Sequence, residues 1–228
     1  MSLTPVWLAR VDDATLNDTI FYEILHYFTK DEQKYVRKYV FPDDQRRSLL
    51  GKLLQYALIS STFQCSSRDF YIKRTKENKP YPLLKYVSAM LSKPYWNYNL
   101  SHHGNFVGIV ADENHLVGLD IVDVTTRTIG VANATSYVDI FTSQLTQCEK
   151  RVILSEKTED SKYEQFFLYW CLKESFIKAI GLGLGFDLLR VEFTVYREVC
   201  KARMSGEDVW MEGYAKAKID GVEREDWR

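Results

Sequence analysis

Cysteine is scarce in this chain of 228 residues and falls into no pattern. Cys65, Cys148, Cys171 and Cys200 are widely spaced, with no CxxC pair. That argues against a zinc or disulfide framework and for reduced thiols in a cytosolic protein. An excess of either charge is also missing. Lys and Arg total 30 against 31 Asp and Glu, a net charge of -1. No global field draws such a chain to nucleic acid or to an anionic membrane, so any anion site must be local. No apolar run approaches membrane-spanning length. The start, MSLTPVWLARVDD, has neither a basic n-region nor an apolar h-region. The expectation is a cytoplasmic protein with neither nucleic acid nor membrane among its partners.

Several catalytic signatures are absent too. Gly181, Gly183 and Gly185 come after a helix rather than between strand and helix. Neither a dinucleotide fingerprint nor a Walker loop fits that placement. There is no GxSxG elbow and no HExxH. Ser101 and His102 are neighbours in an extended run, so they point to opposite faces and make a poor nucleophile–base pair.

What is present is an ordinary globular composition, 46% hydrophobic and 27% charged, with 14% aromatic residues to fill a core. The length suits one large domain or two small ones. The most informative stretch runs from Trp170 to Gly185 and reads as the end of a long helix. Ser161 with Glu164 forms a capping-box signature at its start, and Gly181 can take the left-handed stop. Phe166, Phe167, Leu168, Trp170, Cys171, Leu172, Phe176, Ile177 and Ile180 cover most of its circumference, which predicts burial. Lys173, Glu174 and Lys178 interrupt that surface. Glu174 and Lys178 are four apart and share a face. They are either an ion pair or a cation-holding carboxylate beside an anion-holding lysine.

Elsewhere the pattern alternates between strands and helices. Val6–Ala9 reads as a strand, 16–28 as a helix, and Thr29 with Glu32 as a capping box opening a short helix that carries Lys34, Arg37 and Lys38. Pro42-Asp43-Asp44 breaks the chain before a strong helix from Arg46 to about Ser60. Phe70–Arg74 is strand-like and leads into a cation-rich turn, Thr75 to Pro80; the stretch from there through Pro94 reads as loop. Asn97–Gly104 leads into a strand at Val107–Ala111, and Asp112-Glu113-Asn114 is a turn. Leu116–Val122 is an apolar strand with Asp120 in its middle, where a carboxylate needs a strong partner or becomes neutral. Residues 125–136 carry few large apolar side chains. Thr146 with Glu149 is a third capping signature. Val191–Val195 alternates as a strand, Trp210–Ile219 reads as another, and Gly221–Arg228 looks charged and unpacked. Strands with a major helix on each side of residue 113 suggest two similar halves, 1–113 and 114–228, with a ligand between them.

The charged residues that remain unexplained form one kit. Asp120 and Glu174 offer hard oxygen ligands, and magnesium accepts one or two protein carboxylates with water and phosphate as its other ligands. Lys178, His102 and the Arg74–Lys79 turn supply cations and donors for phosphates. Such a set suits a magnesium–pyrophosphate substrate.

These residues also match a family. WCLKESFIKAIGLGLGFDLLRVEF resembles the WxxKESxxKxxGxG core of the 4′-phosphopantetheinyl transferases. VGLDIV is similar to their GIDxE strand, NLSHHGNFVGIV to their FNxSHxG strand, and Arg74-Thr75-Lys76-Glu77-Asn78-Lys79-Pro80 to their RTxxGKP turn. Order and spacing agree over roughly residues 33–195, and the likeness is to the eukaryotic, monomeric, surfactin-synthetase-type kind that activates aminoadipate reductase.

The resemblance implies an α+β fold of two similar halves related by a pseudo-twofold, with coenzyme A in the cleft between them. It implies transfer of phosphopantetheine from coenzyme A to a serine of an apo carrier domain. That makes the chain a holo-[acyl-carrier-protein] synthase whose other product is adenosine 3′,5′-bisphosphate. Asp120 and Glu174 would bind magnesium, and Lys178 would neutralise a pyrophosphate oxygen. His102 with Arg74, Thr75, Lys76 and Lys79 would hold the 3′-phosphate and adenine end. Asn99, Leu100, Ser101 and His102 would line the cofactor, and one of Lys34, Arg37 or Lys38 would meet the 3′-phosphate. Glu174, directly or through a metal-bound water, is the candidate base. The carrier expected first is aminoadipate reductase of lysine biosynthesis, followed by fatty-acid, polyketide and peptide-synthetase carriers. A catalytically silent coenzyme A-binding or scaffold protein, and an acyltransferase using the thioester, are the alternatives.

The chain departs from the family in three places. Val122 stands where the bacterial motif has a third acid, so two protein ligands are expected. Asn78 replaces a glycine, and Asn tolerates the left-handed backbone. A charged tail, 221–228, stands where an apolar closing strand is usual.

Overall fold

The computed structural model describes residues 6–11, 16–86, 88, 91–124, 133–203 and 209–227. Its chain folds as α+β, with helices and antiparallel sheets in two compact units. The first unit comprises residues 1–123 and 174–183, the second 124–173 and 184–228.

The first unit holds helices α1 (Asp18–His26), α2 (Lys30–Arg37) and α3 (Pro42–Phe63). Strands β1 (Val6–Arg10), β5 (Phe106–Asp112) and β4 (Asn97–His103) form one antiparallel sheet in that order, and β2 (Phe70–Arg74) pairs with β3 (Pro80–Leu84). α2 opens with the expected capping box, Thr29 and Glu32 each satisfying the other's backbone N–H. The break expected at Pro42 is instead the first turn of α3. Proline at that position gives up an N–H that has no helical partner, and Asp43 and Asp44 suit the positive end of the dipole. The loop expected after Pro80 is in fact β3. Pro80 and Pro82 weaken its strand signal, but a two-stranded ribbon tolerates residues without an N–H. Asn78 has φ 69°, so the turn joining β2 and β3 keeps its left-handed residue without glycine.

The core of this unit is packed where α3 meets the sheets. Leu58 and Ile59 join Phe70, Leu84, Tyr98, Ile109 and Ala111, and a second cluster gathers Leu16, Phe21, Leu25, Val36 and Leu49. Between α2 and α3, Glu32 accepts from Lys52 Nζ at 3.1 Å and Tyr56 Oη at 2.8 Å. Burial pushes the Glu32 carboxyl up, but Lys52, Tyr56 and Thr29 outweigh it and leave the group below its ordinary 4.5. A depressed acid contributes stability at pH above its unfolded value and loses it as pH falls through the folded one. Glu32→Gln is therefore expected to cost about 1–3 kcal/mol at neutral pH. Paired denaturant melts should show the gap closing below pH 4.5; a gap constant down to pH 3, roughly, would contradict the assignment.

The second unit holds α4 (Ala134–Ile140), α5 (Gln147–Leu154) and the antiparallel sheet β6 (Val191–Arg203), β7 (Val209–Ile219), β8 (Val222–Arg224). α5 has the expected capping box at Thr146 and Glu149. The tail expected to be unpacked instead returns as β8, pairing Val222, Glu223 and Arg224 with β7. The looser segment expected at 125–136 lies mostly outside the described residues.

Helix α6 (Glu159–Ile180) gives residues 159–173 to the second unit and 174–180 to the first. Its start lies two residues before the expected Ser161. Thr158 caps it, accepting from Ser161 N at 3.1 Å while its own N–H donates to Ser161 Oγ at 3.1 Å. Tyr137 and Phe141 of the second unit pack on Phe166, and Phe141 on Trp170, at 4.9–5.0 Å between ring centres. Gly181 ends the helix at φ 72°, its N–H on Ile177 O at 2.9 Å, as expected of a left-handed stop.

Candidate active site

Asp120 does not lie in a strand. Residues 116–123 are extended but belong to none of the sheets. Their backbone is held instead by side chains from one face of β4. Val117 N donates to Asn97 Oδ1, Leu119 N to Asn99 Oδ1, Ile121 N to Ser101 Oγ and Asp123 N to His103 Nδ1, all at 3.1–3.2 Å. The period of two along β4 puts those four side chains on one face, matched to every second amide of the segment. The polar run from Asn97 to His103 thus replaces a backbone ladder. Apolar Leu119 and Ile121 cover Gly108 of β5.

The ladder delivers Asp120 to the last turns of α6. Lys178 Nζ bonds Asp120 Oδ1 at 2.5 Å and Ser101 Oγ at 3.0 Å, and Ser101 Oγ donates to the same carboxylate oxygen at 3.1 Å. Lys178 thus turns its ammonium to Asp120 rather than to Glu174 four residues away. Glu174 is half-buried beside them. Burial raises its carboxyl above the ordinary carboxylate value, the charge of Asp120 raises it further, and Lys178 opposes both. The two acids therefore repel across a site whose Lys178 ammonium is already bonded to Asp120.

A divalent cation fits that arrangement, because it would relieve the repulsion that burial leaves uncompensated at Glu174. Among the described residues no group of three or more His, Cys, Asp or Glu is placed to hold a metal. The set here is a pair, within what magnesium accepts when phosphate and water supply the rest.

The basic residues fall in two groups, the first of them beside this centre. Lys79 Nζ donates to Ala179 O at 2.8 Å, next to Lys178, and burial lowers its ammonium below the usual lysine value. It satisfies one of the orphan carbonyls at the end of α6. His102 points away from the ladder; desolvation of its ring, then Arg47, hold it below its ordinary 6.5. Arg47, on α3, bonds Gly104 O at 2.6 Å and Asp44 at 2.7 Å. The second group gathers on Tyr35 of α2. Arg74 donates to Tyr35 Oη at 3.1 Å and to Asn78 O at 2.8 Å, and Lys38 Nζ lies 4.0 Å from the Tyr35 ring centre.

The expected residues are thus placed unevenly. Asp120, Ser101 and Lys178 touch, and Glu174 and His102 lie within their electrostatic reach. Thr75 Oγ1 accepts from Lys79 N at 3.2 Å and shapes the turn, and Lys76 is exposed on it. On α2, Lys34 is exposed and Arg37 lies over Tyr22 at 5.8 Å, whereas Lys38 reaches the ring that Arg74 shares. Leu100 packs in the core cluster against Gly51. Asn99 is 4% exposed, with Oδ1 on Leu119 N. Tyr35 and Arg47 are not singled out by the sequence, and Gly118 enters only as part of VGLDIV. The helical spacing of Tyr35 and Lys38, three apart on a basic helix, is the signal that could have found the first.

A family model described as 4′-phosphopantetheinyl transferase, N-terminal, matches residues 17–114, and one described as 4′-phosphopantetheinyl transferase superfamily matches residues 116–213. The chain is 31% identical over 200 residues to the L-aminoadipate-semialdehyde dehydrogenase-phosphopantetheinyl transferase of Mus musculus, covering 83% of this chain and 63% of that one. It is 30% identical over 202 residues to the protein of that name in Homo sapiens, again covering 83% and 63%. It is 28% identical over 213 residues to the 4′-phosphopantetheinyl transferase pptA of Paxillus involutus, covering 89% and 77%. The chain thus spans just under two thirds of the length of the mouse and human relatives.

Proposed function

Since the chain belongs to the 4′-phosphopantetheinyl transferase superfamily, we propose that it transfers phosphopantetheine from coenzyme A to a serine of an apo carrier domain. The observation that carries this is the meeting of Asp120 and Lys178 beside a half-buried Glu174 whose carboxyl is raised. A scaffold that had merely kept its fold would have no need of two acids held against each other. The pseudo-twofold pairing of halves 1–113 and 114–228, with coenzyme A bound between them, belongs to the same proposal and rests on the family.

In the proposed reaction the carrier serine oxygen attacks the phosphorus that bears the pantetheine arm. The new serine P–O bond forms as the bridging P–O bond of the pyrophosphate breaks. Adenosine 3′,5′-bisphosphate leaves with the bonding electrons, and the serine proton passes to Glu174, directly or through a water. Asp120 and Glu174 would hold the magnesium ion, which supplies charge neutralisation at the pyrophosphate. Lys178 offers its ammonium to the pyrophosphate oxygens while Ser101 fixes its direction. Arg74, Thr75, Lys76 and Lys79 on the turn, with Lys34, Arg37 or Lys38 and with His102, bind the 3′-phosphate and adenine end. Asn99 and Ser101 would line the cofactor, and Leu100, packed against Gly51 on the other face of β4, would support that wall from the core.

The mouse and human relatives are named for L-aminoadipate-semialdehyde dehydrogenase, so the carrier domain of that enzyme, in lysine metabolism, is the first substrate to test. Fatty-acid, polyketide and peptide-synthetase carriers follow. We place the enzyme in the cytoplasm as a monomer. Among the described residues no helix is long and apolar enough to cross a membrane.

The test incubates the pure protein with coenzyme A, magnesium chloride and a panel of apo carriers. Mass spectrometry should show one phosphopantetheine added to at least one carrier, with adenosine 3′,5′-bisphosphate released and both lost in excess chelator. Coenzyme A binding with no carrier modified would favour the silent scaffold. Modification that survives chelation would remove the metal from the account.

A further inference from the structure

Two features fix where the Asp120 segment lies beside α6, one a contact with the helix and the other a rung of the ladder to β4, and neither involves Asp120 itself. The first is Gly118. A Cβ built there would lie 1.8 Å from Ser175 O and 2.8 Å from Ala179 N. Both atoms are helix backbone, so no change of rotamer can make room, and a methyl group would force the segment and the helix apart by more than an ångström. Ser175 follows Glu174 and Ala179 follows Lys178, so the point of contact lies between the two functional side chains of the helix. Asp120 lies two residues further along the segment.

The second is the first rung of the ladder. Asn97 Oδ1 accepts from Val117 N at 3.1 Å, and its Nδ2 donates to His115 O at 2.7 Å and Tyr95 O at 3.2 Å. It pins the segment just before Gly118, on the side facing β4. Without that rung, Val117 N loses its partner and the ladder to β4 begins only at Leu119.

We propose that Gly118 and Asn97 are positioning residues that set the separation of the Asp120 and Glu174 carboxylates, Gly118 by permitting backbone contact with α6 and Asn97 by holding the segment at that contact. This rests on the reading of the two acids as a cation-binding pair. Metal affinity is steep in ligand spacing, and residues that orient ligands typically change it by about 10–100-fold. Chemistry that depends on alignment falls by roughly 100-fold for a 1 Å displacement.

The test compares wild type with Gly118→Ala and Asn97→Ala. Manganese affinity in the presence of coenzyme A is read from the paramagnetic resonance of free Mn2+, and coenzyme A affinity in chelator by calorimetry. Thermal melts report the fold. For Gly118→Ala the expectation is Mn2+ affinity lowered about 10–100-fold, with coenzyme A affinity in chelator unchanged and kcat lowered with little change in KM. For Asn97→Ala a smaller loss in the same direction is expected, partly restored in Asn97→Asp, which keeps the acceptor. A purely structural role would lower the melting temperature and leave the Mn2+ affinity of the folded protein untouched. Wild-type Mn2+ affinity in folded Gly118→Ala overturns the proposal; if that variant does not fold, wild-type affinity in Asn97→Ala overturns it. Should wild type itself bind no Mn2+ with coenzyme A, the cation-binding reading is what fails.

Discussion

Replacing Glu174 by Gln is expected to lower the proposed transfer by about a thousandfold while leaving the fold intact, or firmer. The substitution keeps volume and an acceptor oxygen, so packing against the rest of α6 is preserved. What it removes is a charge that the folded protein holds at a disadvantage. Burial first, and then the neighbouring Asp120, raise this carboxyl above its ordinary 4.5, so its ionised form opposes folding at neutral pH. The sign follows: an acid with a raised folded value destabilises once the pH is above that value, and Gln relieves it. Metal-free melts at neutral pH should therefore show Glu174→Gln at or above the wild-type melting temperature, with the carrier unmodified by mass spectrometry. A folded variant transferring at the wild-type rate would remove Glu174 from the chemistry. Asp120→Asn should behave differently. Its carboxylate bonds Lys178 at 2.5 Å and Ser101 at 3.1 Å, so stability and transfer should fall together.

The second large effect lies one residue earlier. Lys173 is fully buried, with its ammonium on Glu149 at 2.8 Å, Leu188 O at 2.9 Å and Val191 O at 2.7 Å. Glu149 is buried as well, and its carboxylate also accepts from Thr146 N at 2.8 Å and Phe193 N at 2.9 Å. The pair thus ties α5, α6, the turn at 188–190 and β6 within the second unit. Burial pulls the Lys173 ammonium below the usual lysine value, and Glu149 opposes this. Three acceptors around Nζ satisfy the charge, yet removing one partner strands the other. Lys173→Met is expected to cost about 3–5 kcal/mol in urea unfolding. Adding Glu149→Gln, which leaves neither charge of the pair buried and keeps the acceptor for Phe193 N, should restore more than half of that. A loss below 1 kcal/mol, roughly, would mean the pair is not closed in solution. Two adjacent charged residues on one helix thus do opposite work, Lys173 for stability and Glu174 at a cost to it.

That difference was not legible in the sequence, where Lys173, Glu174 and Lys178 all read as interruptions of an apolar helix. Helical spacing said which residues share a face, but the partners lie far away in the chain. Lys178 finds Asp120 and Lys173 finds Glu149, neither of which periodicity can supply. Local signals read well where the physics is local: the boxes at Thr29 and Thr146, the glycine stop at 181 and the left-handed Asn78 all stand as expected. They failed where a local rule had two outcomes. Pro42 read as a breaker but opens α3, and Pro80 and Pro82 hid β3. By pattern alone Leu116 to Val122 is a strand, since alternation does not reveal whether backbone or side chains receive the amides; here Asn97, Asn99, Ser101 and His103 do. Gly118 entered only as part of the matched VGLDIV run, because hydrophobic pattern does not reveal which backbone a glycine lets approach.

The central claim, that Asp120 and Glu174 share one divalent ion at the pyrophosphate of coenzyme A, is tested most directly by a crystal structure with coenzyme A and Mn2+. The account predicts one anomalous peak ligated by an oxygen from each carboxylate and by pyrophosphate oxygens. A manganese ion bound to the nucleotide alone, with either carboxylate outside its coordination sphere, would contradict it.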